Sequence, residues 1–421
     1  MPHSITHLDL TRLEEGDCAR EIVGSKLKDE RCASDMQKKR DGAMKRQITI
    51  IVPEWSSGGV ERVVLNLLAR LDRERFEPSL LIFRSYETAL DLPTDVAVID
   101  LSARRVKYAL PAVARHLHRH PPDVVLSHMS VGNSWALISR ALARQRYPIV
   151  CVEHSTLSVE YEHGSGAQRL IPWLIRRTHR WADAIVSVSR ASAEDLERLL
   201  APNPPPIEVI YNPVVSDHID QLARGRAAHP WFDEPDLHVI LSVGRLANSK
   251  NFSRLIRAFA GVAREDPSTR LVILGEGLLR TDLEAEIARA GLEDVVAMPG
   301  FVENPYPSLS RAAVFALSSV YEGLPTVLIE AMACGTPIVA TDSAGGVREI
   351  LEDGRFGTIV PQDDDALTAG LLRAIRDGNQ RAEDLRRRAA DFSVETAVEA
   401  YERLLDSVIA RASGGGRKDE L

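Results

Sequence analysis

YEGLPTVLIEAMACGTPIVATD, residues 321–342, decides the fold. Gly323, Leu324 and Pro325 make a tight entry, an apolar helix starts at Thr326, and the strand PIVATD follows. Two carboxylates interrupt this apolar pattern: Glu322 stands before the helix and Glu330 about a turn inside it. A helix start preceded by a flexible loop presents unpaired N–H groups and a partial positive charge. That end suits an anion, phosphate above all. Carboxylates cannot ligate phosphate, so these two either accept hydrogen bonds from hydroxyls near it or are ordinary solvated helix residues.

Outward from this stretch the same plan repeats. ITIIVPEW (48–55), SLLIF, VAVID, VVLSH, PIVCVEH and AIVSVS alternate with helical segments, as do HVILSVGR, RLVILGEG, VVAMPGF and AVFALSS further on. Near-continuous apolar strands alternating with helices predict parallel sheets covered on both faces. Prolines crowd LAPNPPPIEVIYNPV (200–214), which marks a joint at Asn212–Pro213. The expectation is therefore an α/β protein of two doubly wound, Rossmann-like domains facing a cleft, over residues 47–212 and 213–392. A helix at 393–411 is expected to pack back on the first domain, after which 412–421 form a flexible tail. Residues 1–46, of mixed charge and without periodicity, read as a disordered extension.

The 421 residues are too many for one core, and 44% hydrophobic with 27% charged residues suits a water-soluble protein. No apolar run approaches the roughly 20 residues of a membrane span and no signal-peptide core is present, so a cytoplasmic protein is expected. The terminal KDEL has the form of a retention address, here read as coincidence. Cys18, Cys32, Cys151 and Cys334 lack metal-ligand spacing and are expected to be reduced thiols. A net charge of −8 argues against nucleic acid as a partner. Residues 47–210 carry 19 basic and 18 acidic side chains, against 19 and 29 over 211–400, so the first domain is the better candidate to meet an anionic surface.

LSVGRLANSKN puts Arg245 and Lys250 at a strand's carboxyl end, where a planar fork and a mobile point charge suit a diphosphate. One Arg and one Lys in a surface loop are also commonplace. Gly275, Glu276 and Gly277, after the next strand, make a small-residue turn through which backbone can approach a flat base. The same turn could simply lead into a helix.

GRLANSKN, LVILGEG, GFVENPYPSLSRA and above all YEGLPTVLIEAMACGTPIVATDSAGGVREIL resemble the family 4 retaining glycosyltransferases of the GT-B fold. Their mark is two glutamates separated by seven residues. The resemblance reaches back to SSGGVERVVLNLL and covers about residues 47–411; within the family it leans toward bacterial enzymes of lipid-linked glycans and surface polysaccharides. It implies a nucleotide-sugar donor, UDP-linked rather than GDP-linked, and a glycan or lipid-linked glycan acceptor. Glu330 would accept from the ribose hydroxyls and Glu322 from the sugar's 3- and 4-hydroxyls. The amides from Gly323 through Leu324, Thr326, Val327 and Leu328 would line sugar and diphosphate, Arg245 and Lys250 would neutralise the leaving diphosphate, and Gly58 and Gly59 would reach the phosphates. The family's lysine-glycine pair reads Lys250-Asn251 here. His154 matches the histidine facing the reacting sugar, with His128 its rival.

The family retains anomeric configuration, yet no first-domain carboxylate is clearly placed in the sequence as a nucleophile. The expectation is thus a front-face displacement in which Arg245 and Lys250 supply electrostatics; loss of either would cost about 100- to 1,000-fold in rate. Asp363, Asp364 and Asp365 suit a helix cap better than a metal, so neither metal nor cofactor is expected. Trp173 and Trp181, with Arg176 and Arg180 one turn apart, either lie on anionic lipid or belong to a core helix with a basic edge. A nucleotide-sugar 2-epimerase and a non-catalytic nucleotide-sugar-binding scaffold are the alternative readings.

Overall fold

The apolar runs become strands because both of their faces are buried. In β1 (Arg46–Trp55), Ile48, Ile50 and Val52 pack into one apolar cluster while Ile51 packs into another on the opposite face. The computed structural model describes residues 45–56, 58–86, 92–162, 170–378 and 381–414. The expected extension therefore lies outside the described residues apart from its last two positions, as do Cys18, Cys32 and the KDEL ending. Cys151 and Cys334 are buried free thiols.

After β1 come β2 (Phe76–Ser85), β3 (Ala97–Asp100), β4 (Val124–His128), β5 (Ile149–Glu153), β6 (Ala184–Ser187) and β7 (Ile207–Val209). They form a parallel sheet in the order β3-β2-β1-β4-β5-β6-β7. The second sheet contains β8 (His238–Val243), β9 (Thr269–Leu274), β10 (Val296–Gly300), β11 (Val314–Leu317), β12 (Ile338–Thr341) and β13 (Thr358–Val360). Its order is β10-β9-β8-β11-β12-β13, again parallel. This is the expected pair of Rossmann-like domains. Strand order reverses between β1 and β4 in one sheet and between β8 and β11 in the other, and such switch points open a crevice at the strands' carboxyl ends. Every candidate residue of the cleft lies on or near these ends.

The chain crosses between the domains twice, and the two crossings are bonded to each other. Val214 and Val215 donate to the Phe392 carbonyl at 3.2 and 3.0 Å, and Val394 donates to the Val215 carbonyl at 2.9 Å. The last helix, Val394–Gly414, then lies on the first sheet, burying Val398, Tyr401, Leu405 and Val408 in the same cluster as Ile48 and Ile50. Each fully buried side chain of this kind contributes about 1.5–3 kcal/mol, so the helix is integral to the first domain. No helix among the described residues is long and apolar enough to cross a membrane.

The helix after the glycine loop starts at Gly59, and its third residue, Glu61, folds back to accept from the Ser56 N–H and hydroxyl at 3.1 and 2.6 Å. The contact reaches two residues beyond the N-cap, Gly58, and ties Ser56 to the helix's first turn. Trp173 and Trp181 are not core: 58% and 49% of their surfaces are exposed.

Candidate active site

Glu322 lies in the loop that leaves β11, where the chain is pinned on both sides. Its N–H donates to the Ala344 carbonyl at 2.8 Å, and the Gly346 N–H donates to the Gly323 carbonyl at 2.9 Å. Only glycine fits at 345: its φ is +109°, and a Cβ there would lie 1.6 Å from the Glu322 carbonyl oxygen. The pinned loop presents the Glu322 carboxylate to Ser319, whose hydroxyl donates at 2.6 Å, and to Lys250, whose Nζ stands 2.5 Å away.

The helix Thr326–Cys334 follows. Pro325 occupies its N-cap and no side chain caps it, while Leu324, Val327 and Leu328 point into the core. The Leu328 N–H turns back to the Pro325 carbonyl at 3.0 Å. Across the cleft, a Cβ on Gly59 would lie 4.0 Å from Thr326 Oγ1, so the glycine loop opposes this helix start. Gly58 leaves room for the folded-back Glu61 carboxylate, which would stand 2.5 Å from a Cβ there. Glu330 sits one turn in, with 11% of its side chain exposed. Burial raises its pKa, and the charges of Arg62 and Lys250 draw it back.

Lys250 ends a short turn, Asn248–Lys250, after β8. Asn251 has φ +47° and ψ +48°, so it takes the left-handed conformation that the family's glycine would supply; its side chain accepts from the Arg254 N–H at 3.4 Å. Arg245 is exposed and makes no hydrogen bond or ion pair among the described residues. Its field reaches Glu160 and Tyr321. Gly275 and Gly277 are glycines because the Arg245 loop lies against them: added Cβ atoms would stand 1.9 Å from the Gly244 carbonyl oxygen and 2.4 Å from that of Leu246. Glu276 is held by Arg280 at 2.7 and 2.8 Å.

In the first domain, His128 Nδ1 and His154 Nε2 are 2.9 Å apart. Burial lowers both pKa values, that of His154 to about 4. Behind them Glu153 is enclosed and accepts from Ser130 at 2.8 Å, Asn133 at 2.7 Å and His179 at 2.7 Å. Met129, between His128 and the next helix, has φ +67° and ψ +142°. A non-glycine residue held in such a conformation costs about 1–3 kcal/mol and is typical of functional sites. The domains touch here: a Cβ on Gly323 would lie 1.9 Å from the His154 carbonyl oxygen, and Thr156 donates to the Glu322 carbonyl at 3.3 Å.

The structure thus brings Arg245, Lys250, Glu322, Glu330, the helix start, the glycine loop and His154 to one cleft. Sequence reasoning passed over Arg62, Glu61, the Glu153 network and Glu160. Glu160 bonds to Ser155 within the field of Arg245, and burial raises its pKa. Asp363 caps its helix, accepting from the Ala366 N–H at 2.9 Å, and Asp364 pairs with Arg257. Among the described residues no group of three or more His, Cys, Asp or Glu could hold a metal.

Residues 228–392 match the family profile described as Glycosyl transferases group 1, and residues 57–218 match Glycosyltransferase Family 4. The chain is 32% identical over 375 residues to the N-acetylgalactosamine-N,N'-diacetylbacillosaminyl-diphospho-undecaprenol 4-alpha-N-acetylgalactosaminyltransferase of Campylobacter jejuni, covering 85% of this chain and 96% of that one. It is 25% identical to a GalNAc-alpha-(1->4)-GalNAc-alpha-(1->3)-diNAcBac-PP-undecaprenol alpha-1,4-N-acetyl-D-galactosaminyltransferase of the same organism, over 86% and 99% of the two chains. Among solved structures, Anabaena HepE in complex with UDP and glucose superimposes with a TM-score of 0.69 at 21% identity, over 86% of this chain and 100% of that one. The chain belongs to the family 4 glycosyltransferases of the GT-B fold.

Proposed function

We propose that this protein is a retaining glycosyltransferase that moves a hexose or N-acetylhexosamine from a UDP-sugar to a lipid-linked glycan. The observation that carries the reading is the convergence of two cations, Arg245 and Lys250, with an uncapped helix start and two carboxylates at one cleft. The cations and amides suit a diphosphate, and the carboxylates suit the hydroxyls on either side of it. The acceptor is inferred from the two Campylobacter relatives, whose names specify undecaprenol-diphosphate glycans. The nucleotide is inferred from HepE, crystallised with UDP on the same fold.

In the proposed reaction the bond from the anomeric carbon to the diphosphate breaks and the acceptor oxygen bonds to that carbon on the same face. The acceptor's proton passes to the departing diphosphate oxygen. Arg245 and Lys250 would stabilise the charge that develops there, and Glu322 would exchange its contact with Lys250 for the sugar hydroxyls. The proposal requires no metal. Family membership weighs against the 2-epimerase and scaffold readings, since the named relatives are transferases.

Peripheral contact with an anionic membrane is part of the same proposal. Trp173, Arg176, Arg177, Arg180 and Trp181 line a groove of about 450 Å³ on the first domain, and exposed tryptophans among arginines suit a headgroup interface. Arg176 and Arg180 are partly engaged, donating to the carbonyls of Leu199, Leu200 and Ala201.

The donor assignment is tested by thermal shift of the purified protein with UDP- and GDP-sugars, without added metal, repeated on Glu330→Ala. A shift with a UDP-sugar that the substitution removes is expected. The absence of any shift in the wild type would overturn the reading.

A further inference from the structure

Arg62 closes the first turn of the helix Gly59–Arg70, just past the glycine loop. Its side chain leaves its own domain. Nη2 donates to the Glu303 carbonyl, and Nη1 stands 3.8 Å from Glu330 Oε1. At that distance the Glu330 contact is an ion pair without a hydrogen bond, and it leaves most of the five guanidinium donors uncommitted.

Glu330, the proposed ribose anchor, lies within the fields of both Arg62 and Lys250. A ribose at Glu330 needs that carboxylate's oxygens as acceptors. The diphosphate attached to the ribose must run toward Lys250 and Arg245, and Lys250 is near enough for its charge to act on Glu330. With a ribose at Glu330, the Arg62 fork stands beside the nucleotide, and its planar donors match phosphate oxygens in pairs.

We propose that Arg62 is a diphosphate-binding residue of the donor site, contributed by the opposite domain, which yields Glu330 to the ribose and takes the nucleotide phosphates in its place. This rests on the nucleotide-sugar reading above and adds a cation to it. The exchange is favourable in charge, because a diphosphate is a stronger anion than one carboxylate. It also ties the domains together, since the arm comes from the first domain and Glu330, Lys250 and Arg245 from the second.

The test is calorimetric titration of wild type, Arg62→Gln and Arg62→Lys with UDP and GDP and with the parent nucleosides, uridine and guanosine. For the diphosphate that the wild type binds, Arg62→Gln is expected to weaken affinity about 10- to 100-fold, the range for a hydrogen bond to a charged group. Affinity for its nucleoside is expected to be unchanged or improved, and Arg62→Lys should fall between the two. Equal losses for nucleoside and diphosphate would overturn the proposal, because Arg62 would then serve only to hold Glu330. So would unchanged affinity for both. If Arg62→Gln fails to fold, as judged by its melting curve, the ratio of diphosphate to nucleoside affinity in Arg62→Lys decides: a reduced ratio supports the proposal and an unaltered one overturns it. A wild type that binds no nucleotide overturns the donor reading itself and this inference with it.

Discussion

His128 and His154 meet through Nδ1 of the first and Nε2 of the second, 2.9 Å apart, with ring planes inclined by 21°. One imidazole must donate and the other accept, so the pair is neutral. Burial holds both pKa values below 6.5; for His128 the neighbouring His154 acts in the same direction, while for His154 the charge of Glu153 opposes. The unfolded chain therefore binds more protons than the folded one once the pH drops below about 6.5. This contribution to stability is fully present above that pH and is lost as the pH falls toward 4. His128→Gln should make the melting temperature less steep in pH between 6.5 and 4, as measured by thermal unfolding across that range. An identical slope would show that the pair is not the source.

Gly323 lies against the His154 carbonyl so closely that an added methyl would stand 1.9 Å from its oxygen. The contact crosses the cleft, so Gly323→Ala can relieve the clash by parting the domains rather than by unfolding either one. The expected result is a larger radius of gyration in solution scattering and a turnover reduced by about 100-fold, the scale of a 1 Å misplacement of reacting groups. Wild-type turnover would mean that the closed contact is dispensable.

The exposed face around Trp173 gives a third prediction. Arg177 stacks over the Trp173 ring at 5.8 Å and is exposed, whereas Arg176 and Arg180 cap carbonyls of a neighbouring helix. Arg177→Ala should weaken sedimentation with anionic vesicles at low salt by about fivefold, corresponding to roughly 1 kcal/mol per basic residue. Trp173→Ala should weaken it further, and neither should lower the melting temperature much. Arg176→Ala, by contrast, should also destabilise the fold. Wild-type protein that stays in the supernatant would dispose of the membrane contact.

What the sequence revealed and what it hid divide along physical lines. The strands were legible because burial on both faces forces continuous apolar runs, and the Glu322–Glu330 stretch because helix entry chemistry is local. Arg62 was hidden because its partners, Glu303 and Glu330, lie more than two hundred residues away and an arginine after a glycine loop reads as a solvated helix residue. His128 and His154 each read as a strand-end histidine, and nothing in their spacing announces that β4 and β5 bring the two rings within hydrogen-bonding distance. The exposure of Trp173 was left open because periodicity places a tryptophan on the apolar side of a helix without saying whether anything covers that side. Asn251 departs from the family's glycine, and only its backbone angles show that the substitution preserves the turn.

The helix Val394–Gly414 completes the core begun by β1, although nearly the whole second domain is made between them. During synthesis, then, the usual order in which amino-terminal domains fold first cannot run to completion. The second domain can close while the apolar cluster of Ile48, Ile50 and Val52 still lacks Val398, Tyr401, Leu405 and Val408. Synthesis of Val394–Gly414 is the event that seals it, which makes the nascent chain, rather than the finished protein, the form most in need of a chaperone.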